Sequence, residues 1–157
     1  MPTFKEISKK FTLEKLEQSF INAVKEVSDD FIEQIQKRLK NSGVLSDGSK
    51  LHTDKGNPYY SDYTQKKKKE AGQPTSRVTL FYSGDFYETF YVVPIKEGFE
   101  INADFRKSKG KNVFDNFKKQ YTYKKFTDLV TGLTEQEQVI FFDSIINEIV
   151  ENFKKIK

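Results

Sequence analysis

The chain has no cysteine, no tryptophan and one histidine among its 157 residues. Without cysteine there is no disulfide, no thiolate metal site and no cysteine nucleophile. His52 alone argues against histidine-based catalysis and against a multi-histidine metal site. Long hydrophobic runs are missing too. The longest clean one is Val139-Ile140-Phe141-Phe142, far short of the ~20 apolar residues a membrane helix needs. Met1-Pro2-Thr3-Phe4-Lys5-Glu6 has no apolar signal core. The expectation is an intracellular site of synthesis, no membrane partner and no cofactor.

What is present is charge and aromatic bulk. Twenty-seven basic residues against 23 acidic leave a net charge of +4, and 15 Phe with 8 Tyr supply large side chains for a core. The length suits one domain of about 100–200 residues. The composition is polar yet globular rather than disordered.

Residues 12–41 carry the clearest pattern. Leu13, Leu16, Phe20, Val24, Val27, Phe31, Ile35 and Leu39 follow one another at steps of three and four, one face of a helix. Thr12 is a natural N-cap, and Asn41-Ser42-Gly43 a stop signal. Ser28-Asp29-Asp30 marks a point where a kink or break is expected. Residues 43–60 read as loop, with turn dipeptides at Asp47-Gly48 and Gly56-Asn57-Pro58. A short helix is expected from Asp62 to Ala71, capped by Ser61 and stopped by Gly72.

Residues 77–105 read as sheet. Val78, Leu80 and Tyr82 alternate, Thr89 to Val93 is a β-branched and aromatic run, and Phe99, Ile101 and Ala103 alternate after a turn at Lys96-Glu97-Gly98. Residues 104–125 are basic and irregular, with a short helix expected at Asn112 to Lys119. Asp128 to Thr134 reads as a linker. Thr134-Glu135-Gln136-Glu137 is a capping box that opens a last helix over 134–156. Its expected seam is Phe142, Ile145, Ile149, Phe153 and Ile156. Helices flanking a run of strands predict an α+β fold: a small antiparallel sheet packed against long N-terminal and C-terminal helices, in a single domain over 1–157.

Three groups of residues are candidates for function. Lys66, Lys67, Lys68 and Lys69 form the densest charge feature. They suit phosphate contact by counterion release, and equally a solvated helix face. The stretch 104–125 adds Arg106, Lys107, Lys109 and Lys111, with Phe105, Phe114, Phe117, Tyr121 and Tyr123 interleaved. Such aromatics stack bases in single-strand binders, although the plainer reading docks them on the core and leaves the lysines in water. Phe81, Tyr82, Phe86, Tyr87, Phe90 and Tyr91 place six aromatics in eleven residues. On a strand they would fill both faces, so Phe81, Tyr82, Gly84, Phe86, Tyr87 and Tyr91 are candidates for an assembly interface. No pair of acids has the positioned partner that general acid–base work requires, and His52 near Asp54 sits in a polar loop, so the chain reads as non-enzymatic.

Thr64, Lys68 and Gly72, leading into Leu80, Ser83-Gly84, Phe86 and Thr89, together with Gly132-Leu133-Thr134 at the last helix, resemble the tail-completion, or virion-morphogenesis, proteins of tailed phages. Ser83, Phe86 and Thr89 stand where that family tends to have threonine, leucine and serine. The resemblance implies a non-catalytic α+β subunit at the head–tail joint. Copies of it close into a ring around the DNA channel, one rim meeting a portal or connector and the other a tail protein, with any DNA contact non-specific. It also implies a virion protein assembled in the host cytoplasm. The alternative is a small basic nucleic-acid-binding module that uses Lys66 to Lys69 and the 104–125 stretch. The two separate on DNA retention and its salt dependence.

Overall fold

A computed structural model describes residues 12–54, 60–96, 98–106 and 112–155. Among these the fold is α+β, with four helices and a two-stranded antiparallel sheet. The long helices near the two ends of the chain pack on each other, and the first of them packs on the sheet.

Helix α1 spans Leu13–Ser42. The Thr12 side chain accepts from the Lys15 N–H and Gly43 closes the helix at φ 62°, as the end signals predict. The expected break at Ser28-Asp29-Asp30 is absent. The Ser28 hydroxyl donates to the Lys25 carbonyl at 2.8 Å, so its polar group is taken up within the helix. Residues 43–54 are more built than a plain loop. Val44 bridges Lys50, Leu45 and Leu51 are fully buried, and the Ser46 N–H donates to the Leu129 carbonyl. The turn at 56–58 lies outside the described residues.

Helix α2 spans Asp62–Glu70, with the Ser61 side chain accepting from the Thr64 N–H and Gly72 turning the chain at φ 65°. After Pro74 the expected strand at Val78, Leu80 and Tyr82 does not form. Leu80 sits at φ 54°, a left-handed conformation incompatible with a strand. Val78 and Thr79 are buried instead as irregular chain. A 3₁₀ turn over Tyr87–Thr89 follows, started by the Gly84 carbonyl accepting from the Tyr87 and Glu88 N–H groups.

The sheet is a single hairpin, β1 (Tyr91–Ile95) and β2 (Gly98–Asn102). Val92 faces Ile101 and Pro94 faces Phe99. Val92 and Phe99 lean on the core between the long helices, so Tyr91, Val93 and Ile95 point the other way. Phe105 is buried, a 3₁₀ turn covers Val113–Asn116, and helix α3 covers Tyr123–Thr131. That helix replaces the irregular end of the basic stretch and most of the expected linker. Thr122 caps it by accepting from the Lys125 N–H.

Helix α4 spans Glu135–Lys155. Its capping box is closed in both directions: the Thr134 N–H donates to Glu137 Oε2 at 2.8 Å, and the Glu137 N–H to Thr134 Oγ1 at 3.2 Å. The buried residues of α4 are Phe141 and Ile145, with Ile149 partly buried beyond them. Phe142 is half-exposed and does not belong to the seam. Ile156 lies outside the described residues.

Two cores result. The smaller lies between α1 and α4, where Ala23, Val24 and Phe31 meet Phe141 and Ile145. The larger joins Ile35 and Leu39 of α1 to Leu45, Leu51, Val78, Phe86, Tyr87, Phe90, Phe105, Phe117, Phe126 and Val130. Phe126 is its hub, stacked on Phe117 at 4.7 Å and touched by Phe105, Phe114 and Tyr121. The aromatics of the basic stretch therefore dock on the core.

Candidate functional site

The lysine run shows how a helix divides four like charges. Lys66 and Lys69 are exposed. Lys67 reaches Glu70 at 3.1 Å on the surface. Lys68 is only 1% exposed. Its ammonium donates to the Phe81 carbonyl at 2.5 Å, to Gln73 Oε1 at 2.8 Å and to Thr79 Oγ1 at 3.3 Å. Burial pushes it down to about 8, helped by Arg77 nearby. Lys68 is thus withdrawn from any surface contact, contrary to its place among the DNA- or partner-contact candidates. Its length and three donors let it hold the turning chain of 79–81 against α2.

The same clasp accounts for the aromatic candidates. Phe86 and Tyr87 are buried in the chain's own core, and neither can serve as an interface side chain. The Tyr87 hydroxyl donates to the Thr79 carbonyl, and burial raises its pKa. The Tyr60 hydroxyl accepts from the Thr79 N–H at 3.0 Å, and burial raises its pKa too. Gly84, at φ 98°, packs by Phe81. Phe81 is half-buried, with the Lys40 ammonium 4.1 Å from its ring centre. Thr89 Oγ1 donates to the Phe86 carbonyl at 2.7 Å and accepts from the Asp104 N–H at 3.0 Å. Lys68, Tyr60 and Tyr87 therefore converge on the 79–81 chain as a structural clasp.

Tyr82 and Tyr91 remain on the surface, 49% and 51% exposed. Arg106 is exposed as well. Lys107, Lys109 and Lys111 lie outside the described residues.

Two concave surfaces flank these elements. One, of about 740 Å³, runs along the whole of β2 and is walled by Phe105, Tyr123, Leu133 and Phe142. The other, of about 680 Å³, lies beside the clasp, where Tyr63 and Tyr82 stand with Lys67, Lys118 and Lys119. Asp54 lines this second cleft, but its carboxylate accepts the Lys119 N–H at 3.1 Å. Among the described residues no group of three or more His, Asp or Glu could hold a metal ion. Nor is any helix long and apolar enough to cross a membrane.

Further large apolar side chains are exposed, among them Phe142, which the expected seam of the last helix had placed inside. Val93 and Ile95 continue the Tyr91 row on β1. On α4, Val139, Phe142, Ile146 and Val150 are 62%, 50%, 56% and 45% exposed. The spacing of that second stripe, at steps of three, four and four, was readable beside the buried one.

No family model matches the chain, and neither a curated protein nor a solved structure is detectably similar to it.

Proposed function

We propose that the protein is an assembly subunit of a tailed-phage particle, closing with its own copies into a ring at the head–tail joint. The observation that carries this is the unfinished sheet. Its two strands have no third partner among the described residues, and a lone hairpin is marginal in water. Its outward row, Tyr91, Val93 and Ile95, is apolar and exposed. The free edges of β1 and β2 differ, so edge-to-edge pairing between copies is head-to-tail, the heterologous contact that closes rings. The groove along β2 leaves room for an arriving strand. The portal or connector on one rim, the tail protein on the other and the virion location come from the resemblance alone.

Negative-stain microscopy and native mass spectrometry of the purified chain test this, alongside mass spectrometry of phage particles. The expected result is closed rings, lost in Val93→Lys, and the chain present in particles. Absence of rings at every concentration, together with absence from particles, overturns it.

A second reading has its own support. The cleft of Tyr63, Tyr82, Lys67, Lys118 and Lys119 combines aromatic faces with cations, as single-strand binding modules do. That reading requires retention of single-stranded DNA by the free monomer, with a steep salt slope. Loss of that retention in Tyr63→Ala would favour it over the ring.

A further inference from the structure

Along the apolar stripe of α4, Phe142 touches Phe99 of β2, ring centres 6.2 Å apart, yet it stays half-exposed in a row with Val139, Ile146 and Val150. Phe142, Ile146 and Val150 each stand one position after a seam residue, Phe141, Ile145 and Ile149. One position is about 100° around a helix, so the stripe turns away from α1 while the seam meets it. A row of large apolar side chains at heptad-like spacing, exposed by half or more at most positions, is what a second helix covers. We propose that α4 pairs, antiparallel, with α4 of a second copy of this chain.

Charge decides the partner and its direction. Glu135 lies at the start of the stripe and Lys154 near its end, so the helix carries opposite charges at its two ends, about 28 Å apart. Antiparallel pairing sets Glu135 of each copy against Lys154 of the other. It also sets Val139 against Val150 and gathers Phe142 and Ile146 around the two-fold axis. A parallel pair would oppose like charges at both ends, and its helix dipoles would align unfavourably. Lys154 is paired with Glu151 at 2.6 Å on the surface, so docking exchanges that exposed pair for one with Glu135 of the other copy, with Lys155 beside it. The contact is isologous and ends at two subunits. It uses other side chains than the hairpin row, shares Phe142 with the groove along β2, and does not rest on the ring reading.

The absence of cysteine from the chain makes the test clean. In the Val93→Lys chain, which cannot close rings, sedimentation should give a dimer, and adding Ile146→Glu should raise its dissociation constant at least tenfold with unchanged circular dichroism. Lys154→Glu should weaken it, and adding Glu135→Lys should restore it. Under oxidation, a mixture of Val139→Cys and Val150→Cys chains should form the mixed disulfide. A monomer at 100 µM, a dimer indifferent to Ile146→Glu, or disulfides formed only between identical variants would each overturn the proposal. Val93→Lys should break rings and leave this dimer intact, which separates the two assemblies.

Discussion

The Lys68 ammonium donates to the main-chain carbonyl of Phe81, thirteen residues on, at 2.5 Å. Gln73 and Thr79 fill its other two positions. A buried ammonium with three neutral acceptors and no carboxylate sacrifices hydration for geometry, and what it secures is the left-handed turn at Leu80. Lys68→Met preserves the stem and removes the donors. It should destabilise the fold by about 1–3 kcal/mol, the usual cost of leaving buried acceptors unpaired, read by urea denaturation.

The same residue sets a pH dependence. Lys68 titrates at about 8 in the folded chain and near ~10.4 in the unfolded one. Between these values the unfolded chain holds the extra proton, so this group adds stability as pH rises. Below pH 8 both states are protonated and its contribution is flat. The stability gap between the wild type and Lys68→Met should therefore widen from pH 8 to pH 10. A gap that narrows over that window would contradict the burial of the charge.

Much of this was legible in the residues, for local reasons. Thr12, Ser61, Thr134 and Gly43 each bond or turn within their own few residues, so their types announce the helix ends. The hairpin announced itself by the β-branched and aromatic run 89–93 and the alternation of Phe99, Ile101 and Ala103, whereas the same alternation at Val78, Leu80 and Tyr82 misled. What stayed hidden depends on distant partners. Lys68 looks like any other lysine until the 79–81 turn is laid over it. Phe86 and Tyr87 look like strand residues until Leu80 enters the left-handed region and turns the segment inward. The basic 104–125 stretch concealed α3, because Lys124 and Lys125 drew attention from the Phe126–Val130 spacing that faces the core.

Tyr87→Phe separates core from interface. The phenol is buried and donates to the Thr79 carbonyl. Its loss leaves that acceptor unpaired, at about 1–3 kcal/mol, while the ring still packs on Phe86 and Phe90. Chemical denaturation should report the loss, and light scattering should report an unchanged oligomeric state. A changed state would return Tyr87 to the assembly surface.

Two glycines distinguish backbone conformation from close approach. Gly43 and Gly72 have nearly the same φ, 62° and 65°. A Cβ on Gly72 meets open space, whereas one on Gly43 would fall against the Val78 carbonyl oxygen. Gly72→Ala should cost about 1–2 kcal/mol, the left-handed penalty alone. Gly43→Ala should cost clearly more, because the contact between the end of α1 and the 77–79 chain must also shift. Equal melting temperatures for the two variants would mean that the close approach carries no weight.

The start of α4 is held to α1 by Arg38. Its guanidinium donates to the Gly132 carbonyl at 2.8 Å and lies 3.3 Å from Glu137, and both side chains are largely buried. Burial lowers the Arg38 pKa, with Glu137 opposing the shift. Thr134→Ala removes only one side of the capping box and should cost about 1 kcal/mol. Glu137→Ala removes the other side and strands a buried cation, so about 3–5 kcal/mol is expected. Arg38→Met should cost less than Glu137→Ala, because the Glu137 carboxylate left behind keeps the Thr134 N–H and the positive end of α4. The double variant Arg38→Met/Glu137→Ala should then cost less than the two single changes taken together, and a double-mutant cycle measures the difference. Simple additivity would mean that the cap alone, and not the ion pair, fixes α4 against α1.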